Sequence, residues 1–393
     1  MRTKQSYINI FKIAGAYIAY VIGSGFATGQ EIVQFFTVYG EGGIAGMVLC
    51  TFLFAWIGAV LLKDGFRHRT EKQHRKKMQE KKESNNDSRV YEFYCGRRIG
   101  GLFEIFVPLT LFCTVVVMLA GAGAAMAEYY GIDYRLGCFL MAALVFLSYI
   151  LGFHRLVNAI GCLAPLIIFF MIAVGILTLS NADLSRIVVL FETKKAADAE
   201  YGLWWVSALL YVSYNTVAAV PFFHALGASA GSSRQAAAGG IFGAFFLMTA
   251  AFFMNLAILI GTESADNLAI PTLYLARQIS PLFGAAFSFV LLIEIFSTAA
   301  PMMWTFCSRF AKDGSKKAVA IGLFFIIPAY LFSALPFERL VGCIYPASGV
   351  FGFVFLACLI KTFFLRCRRK KSTDGGCREK WGSGCDRKIR MIK

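Results

Sequence analysis

Ile22-Gly23-Ser24-Gly25-Phe26-Ala27-Thr28-Gly29-Gln30-Glu31 interrupts an apolar segment that runs from Ile8 to Val38. Glycine gives up helical conformation more readily than other residues, so Gly23, Gly25 and Gly29 predict an unwound joint. Gln30 and Glu31 follow while the run is still hydrophobic. In hydrocarbon, backbone released from a helix is tolerated only where protein buries it or a wet cavity receives it. An ionisable side chain at that depth marks function. The stretch therefore predicts two half-helices that face a site near the middle of a bilayer.

The rest of the chain fits a membrane. Of 393 residues 58% are hydrophobic, mean hydropathy is +0.63, and the apolar residues fall in runs of about 20, the length of a bilayer helix. An all-α polytopic membrane protein is expected, and a soluble fold is excluded. No short apolar core with a small-residue cleavage site opens the chain, so no cleaved signal peptide is expected. Ten spans are read at 8–38, 43–62, 101–127, 136–152, 156–179, 202–225, 238–260, 282–308, 317–333 and 340–365. They group into a first five-helix repeat (1–180) with a basic loop at 63–98, a polar connection (181–200), and a second repeat (201–367). A basic tail at 368–393 is expected to be disordered.

Net charge is +16. Alternating the loops across ten spans puts 33 Lys and Arg on the side of the termini and 6 on the other. Positive charge stays inside, so a multi-pass plasma-membrane protein with both termini cytoplasmic is expected. The basic loop and tail suit anionic lipid headgroups, solvated anchoring being their plainer use. No nucleic-acid partner is expected. The eleven cysteines show no metal spacing and read as small buried hydrophobes. Cys377 and Cys385 in the tail are too few to define a metal site.

Five spans, a connection and five more suggest a repeat, and an odd number of spans per copy inverts the second. Span 6 should then be interrupted where span 1 is. It carries Ser213-Tyr214-Asn215-Thr216 at mid-span and Pro221 beyond, and proline removes a backbone donor. Span 8 centres on Glu294-Ile295-Phe296-Ser297-Thr298, where Glu294, Ser297 and Thr298 share one helical face at i, i+3 and i+4. Such oxygens suit a hard cation, and a mid-membrane carboxylate can carry a proton. Plainer uses exist for each feature. Gly15, Ala19, Gly23 and Ala27 have the spacing of close helix packing, which leaves Gly25, Gly29 and Gln30-Glu31 unexplained. Ser297 and Thr298 can bond their own helix. Glu104, Asn158 and His224 lie near span ends and read as interfacial.

The Ile22–Phe26 motif closely resembles the glycine-rich first helix of the amino acid–polyamine–organocation superfamily. The longer Gly23–Ile32 stretch is similar to the signature of the YkvI-like membrane proteins. The resemblance covers residues 1 to about 365, outside parts of the 63–98 loop and the tail. It implies a LeuT-type 5+5 inverted repeat with helices 1 and 6 broken around the substrate. It also implies that freed amides at Ser24, Gly25 and Phe26 hold a substrate carboxylate, and that Ser213, Tyr214 and Asn215 face it. A Na⁺ site of the relatives maps to Ala19 and Ile22 and to Glu294 (by its carbonyl), Ser297 and Thr298. The first-helix Asn of some sodium-coupled relatives is absent, Tyr20 and Val21 standing there, and span 6 lacks a glycine-rich break.

The expectation is a Na⁺- or H⁺-coupled secondary transporter of a small organic solute, an amino acid above all, working by alternating access. Glu31 and Glu294 would balance charge or move a proton. The alternative is a transporter-shaped sensor that binds an amino acid without moving it. No nucleotide loop, HExxH or serine elbow is present, so no enzyme is expected, and no cofactor beyond bound Na⁺.

Overall fold

The apolar runs form helices throughout the computed structural model, which describes residues 2–77, 90–151, 164–180, 203–261, 268–311 and 314–382. In chain order they are α1 (Arg2–Val21), α2 (Ser24–Ala27), α3 (Gln30–Phe35), α4 (Glu41–Lys77), α5 (Val90–Tyr130), α6 (Tyr134–Leu151) and α7 (Ala164–Ser180). Then follow α8 (Trp204–Ser229), α9 (Ser233–Gly261), α10 (Pro271–Ile279), α11 (Pro281–Cys307), α12 (Lys316–Phe332) and α13 (Phe337–Gly382). Seven of them (α4, α5, α6, α8, α9, α11 and α13) are long and apolar enough to cross a membrane. The first expected span is divided among α1, α2 and α3, and none of the three pieces is among the seven. Large apolar side chains such as Leu282, Phe324 and Ile105 stay exposed, as a lipid-facing surface requires.

Polar contacts tie the helices where the core needs them. α8 packs between α4 and α13, and α1 lies on α9. Tyr17 stacks on Phe223 and Tyr20 on Phe222, with ring centroids 4.4 and 4.3 Å apart, joining α1 to α8. At the end of the molecule that holds the N-terminus, the buried Asp64 carboxylate of α4 meets Arg366 of α13 at 2.7 Å and accepts the Tyr94 hydroxyl at 3.0 Å. Glu104 pairs with Arg309 at 3.6 Å, and His224 packs edge-on against His68.

One expectation is corrected. Span 6 is not broken: α8 runs from Trp204 to Ser229 through Pro221. Pro221 has no N–H for the Val217 carbonyl four residues earlier, and the Tyr91 hydroxyl of α5 donates to that carbonyl at 2.7 Å instead. Two members of the polar patch are satisfied within the helix. Ser213 Oγ donates to Leu209 O at 2.6 Å and Asn215 Nδ2 to Tyr211 O at 3.0 Å. Tyr214 donates to Glu31, and Thr216 Oγ1 is buried without a partner. Helix α13 runs from Phe337 to Gly382, into the segment read as a tail. Of the 63–98 loop, 63–77 extend α4 and 90–98 begin α5, whose backbone leaves helical geometry once, at Gly96. The 181–200 connection, Asn158, residues 78–89 and 383–393 with Cys385 lie outside the described residues.

Candidate functional site

The first helix comes apart as its glycines predict, and it does so twice. Ile22 N–H still bonds Ile18 O at 2.9 Å, after which the backbone ladder stops until Ala27 N–H meets Gly23 O at 3.0 Å. The carbonyls of residues 19–22 and the amides of 23–26 are thereby released, and Gly23 is extended (φ −123°, ψ −177°). The second joint lies at Thr28–Gly29, with Gly29 left-handed at φ 86°. Short α10 seals that joint: Thr272 N–H donates to Thr28 O at 3.2 Å and Thr272 Oγ1 to Ala27 O at 2.9 Å.

The partners of the released groups define the site. Ser24 N–H donates to the thioether of Met118 on α5 at 3.2 Å. Ile22 O accepts from Thr298 Oγ1 of α11 at 3.3 Å, and that hydroxyl also lies 3.1 Å from Glu294 O. Ser297 Oγ donates to Glu294 O at 2.9 Å. Ile22, Glu294, Ser297 and Thr298 thus bring backbone and hydroxyl oxygens of two helices together, which fits a hard cation. No hydrogen bond joins Ala19 to this group among the described residues. Both oxygens of the Glu294 carboxyl are buried without a hydrogen-bond partner, the neighbouring Ser297 hydroxyl being directed at the backbone.

Glu31 opens α3 and folds back over the break. Its buried carboxyl accepts the Tyr214 hydroxyl of α8. It is packed against Gly25: a Cβ there would sit 2.5 Å from Glu31 Oε1 and 2.9 Å from the Tyr345 ring. Tyr345 of α13 in turn stacks on Tyr214 at 4.8 Å. The position at which a substrate carboxylate was expected therefore holds a carboxyl of the protein itself.

Below Glu31 a cavity of about 40 Å³ opens among α1, α5, α8, α11 and α13. Of the expected substrate residues, Tyr214 and Asn215 line it. Ser213 is turned onto α13 at Gly352, and the Phe26 ring is buried elsewhere. Ser24 Oγ is buried with no partner of good geometry. Sequence reasoning passed over the face of α5 formed by Thr110, Thr114 and Met118, and over Tyr345 and Ser348 of α13, all of which line the cavity. Spacing of i, i+4 and i+8 in span 3 was the signal for the first three. A wider pocket of 540 Å³ lies at the end away from the N-terminus, with Glu128, Phe337 and Glu338 in its wall. Phe337 rests against Gly121 beside Ser24, and so stands between the two spaces.

A first helix opened at mid-length, set against a helix whose hydroxyl caps the freed carbonyl, belongs to an all-α membrane protein of the LeuT fold. The solved structures bear this out. MhsT in complex with L-phenylalanine superimposes with a TM-score of 0.63 at 12% identity, over 88% of this chain and 87% of that one. The manganese transporter of Eremococcus coleocola does so with a TM-score of 0.55 at 15% identity, over 90% and 77%. No protein-family model matches the chain. In sequence it is homologous to the uncharacterized membrane protein YkvI of Bacillus subtilis, 24% identical over 363 residues that span 91% of this chain and 97% of that protein.

Proposed function

We propose that the protein is a cation-coupled secondary transporter of a small organic solute bearing an amino group, working by alternating access in the plasma membrane with both termini inside. The observation that carries this reading is the Thr298 hydroxyl on the freed Ile22 carbonyl, because it joins a broken helix to a second helix through oxygens alone. Na⁺ would be held by the Ile22 and Glu294 carbonyls with the Ser297 and Thr298 hydroxyls, the Ala19 carbonyl completing the set. Solute would sit in the adjoining cavity beside Tyr214 and Asn215. Occupying the ion site pins α1 to α11, so release of either ligand loosens the half-helices that hold the other. The two five-helix halves, 1–180 and 201–367, would be the inverted copies that rock. Two solved proteins of this fold, a manganese transporter and MhsT in complex with L-phenylalanine, support a small cargo. Among the described residues, no group of three His, Cys, Asp or Glu side chains gathers to hold a transition metal, which favours an organic cargo.

Uptake into proteoliposomes tests it. Radiolabelled amino acids and their decarboxylated amines are offered under an imposed Na⁺ or H⁺ gradient. Accumulation that an ionophore collapses is the expected result. Ser297→Ala and Thr298→Ala should raise the Na⁺ concentration needed for half-maximal uptake several-fold. A wild-type sodium dependence in both variants, or uptake driven by the H⁺ gradient alone, would remove the ion site. Binding without accumulation under either gradient would make the protein a sensor.

A further inference from the structure

We infer that the central cavity selects a cationic amine and that Glu31 supplies the carboxylate an amino acid would otherwise bring. The inference rests on the reading that solute occupies this cavity, and it narrows the solute to amines without a carboxylate.

Five of the hydroxyl donors around the cavity are already engaged. Tyr20 Oη donates to Ala218 O at 2.8 Å, Thr110 Oγ1 to Phe106 O at 3.0 Å and Thr114 Oγ1 to Thr110 O at 2.8 Å. Thr298 donates to the Ile22 or Glu294 carbonyl and Tyr214 to Glu31. A hydroxyl has one proton and two lone pairs, so each of these five groups is left with acceptor capacity only. One N–H of Asn215, the Tyr345 and Ser348 hydroxyls and the Gly23 amide are what remains to donate, and all are neutral. No Lys, Arg or His lines the cavity, while Glu31 does.

That lining suits an ammonium group, which has three protons to give and none to receive. It would find one carboxylate and a ring of lone pairs. A carboxylate ligand would meet Glu31 with no basic residue between them, and two carboxyl groups in one low-dielectric space cannot both be ionised cheaply. Space argues the same way: Gly25 admits the Glu31 side chain only because it lacks a Cβ, so a second carboxylate has no room beside it. The outer approach has the same polarity. Its 540 Å³ pocket carries Glu128 and Glu338 and no basic residue in its wall, although Arg277 lies within electrostatic reach of Glu128. An acidic vestibule raises the local concentration of cations.

Matched pairs test the proposal on the purified full-length protein in detergent at constant sodium. Ethylamine is compared with alanine, isobutylamine with valine and phenethylamine with phenylalanine, reading the rise in unfolding temperature with concentration. At least one amine is expected to stabilise the protein at a concentration about tenfold below that of its amino acid. Glu31→Gln should abolish that preference. An amino acid that stabilises while its amine does not would overturn the inference and leave the transport reading standing. So would an unchanged amine preference in Glu31→Gln. Failure of every compound on the wild-type protein would overturn both. The wild-type pairs decide the matter even where the variant does not fold.

Discussion

The broken α1–α3 unit and continuous α8 flank the same cavity, and each carries residues that disrupt helices. In the first, the glycines release backbone groups on both sides of Ile22–Gly23, and one on each side is taken up by a side chain of another element: Ile22 O by Thr298 and Ser24 N–H by Met118. In the second, Pro221 removes a single donor, and one hydroxyl from Tyr91 replaces it. The difference teaches that a helix opens in a membrane when several released groups have partners waiting. A single orphan is more cheaply capped than relieved by unwinding. The continuity of α8 then depends on a tyrosine in α5, outside the helix it supports.

The contrast can be broken at three points, taken from the largest effect down. Gly25→Val should be the most damaging, because the added carbons enter the space of the Glu31 carboxyl and the Tyr345 ring. Overpacking of this kind costs about 1–3 kcal/mol, and proteoliposome uptake should vanish while the protein still elutes as a folded species. Retained uptake would show that Glu31 is free to leave Gly25. Gly29→Ala should come next. Its left-handed backbone costs a non-glycine residue roughly 1–2 kcal/mol, and the new Cβ would stand 2.9 Å from the Thr272 side chain. A lowered melting temperature is expected, and no change would mean that the second joint rearranges freely. Tyr91→Phe should have the smallest effect, about 1 kcal/mol for a lost interhelical hydrogen bond. It carries the sharpest control: Pro221→Ala in the same background returns an N–H to Val217 and should recover much of the loss. Equal stabilities for the single and double variants would remove Tyr91 as the support of α8.

Much of this was legible in the chain, for reasons that were local. The glycine run fixed where α1 would end because conformational preference acts on each residue in turn. The helical face of Glu294, Ser297 and Thr298 followed from spacing, and Thr298 does reach Ile22. What escaped notice depends on distant partners. Pro221 read as a break because the group that replaces its missing donor, the Tyr91 hydroxyl, lies 126 residues in sequence from the Val217 carbonyl it serves. Glu31 read as a charge near the site, but its return onto Gly25 needs the left-handed turn at Gly29 and a tyrosine from α8. Tyr345 and Ser348 sit in an unremarkable apolar span and acquire meaning only when α13 closes against α8.

Met118 has one more consequence. The amide of Ser24 is held by sulfur, a diffuse and feeble acceptor on a side chain with three rotatable bonds. A carbonyl in that place would grip the peptide rigidly. The thioether instead yields and follows, so the hinge beside Gly23 is sprung on a compliant mount, and the peptide plane there can swivel at little energetic expense.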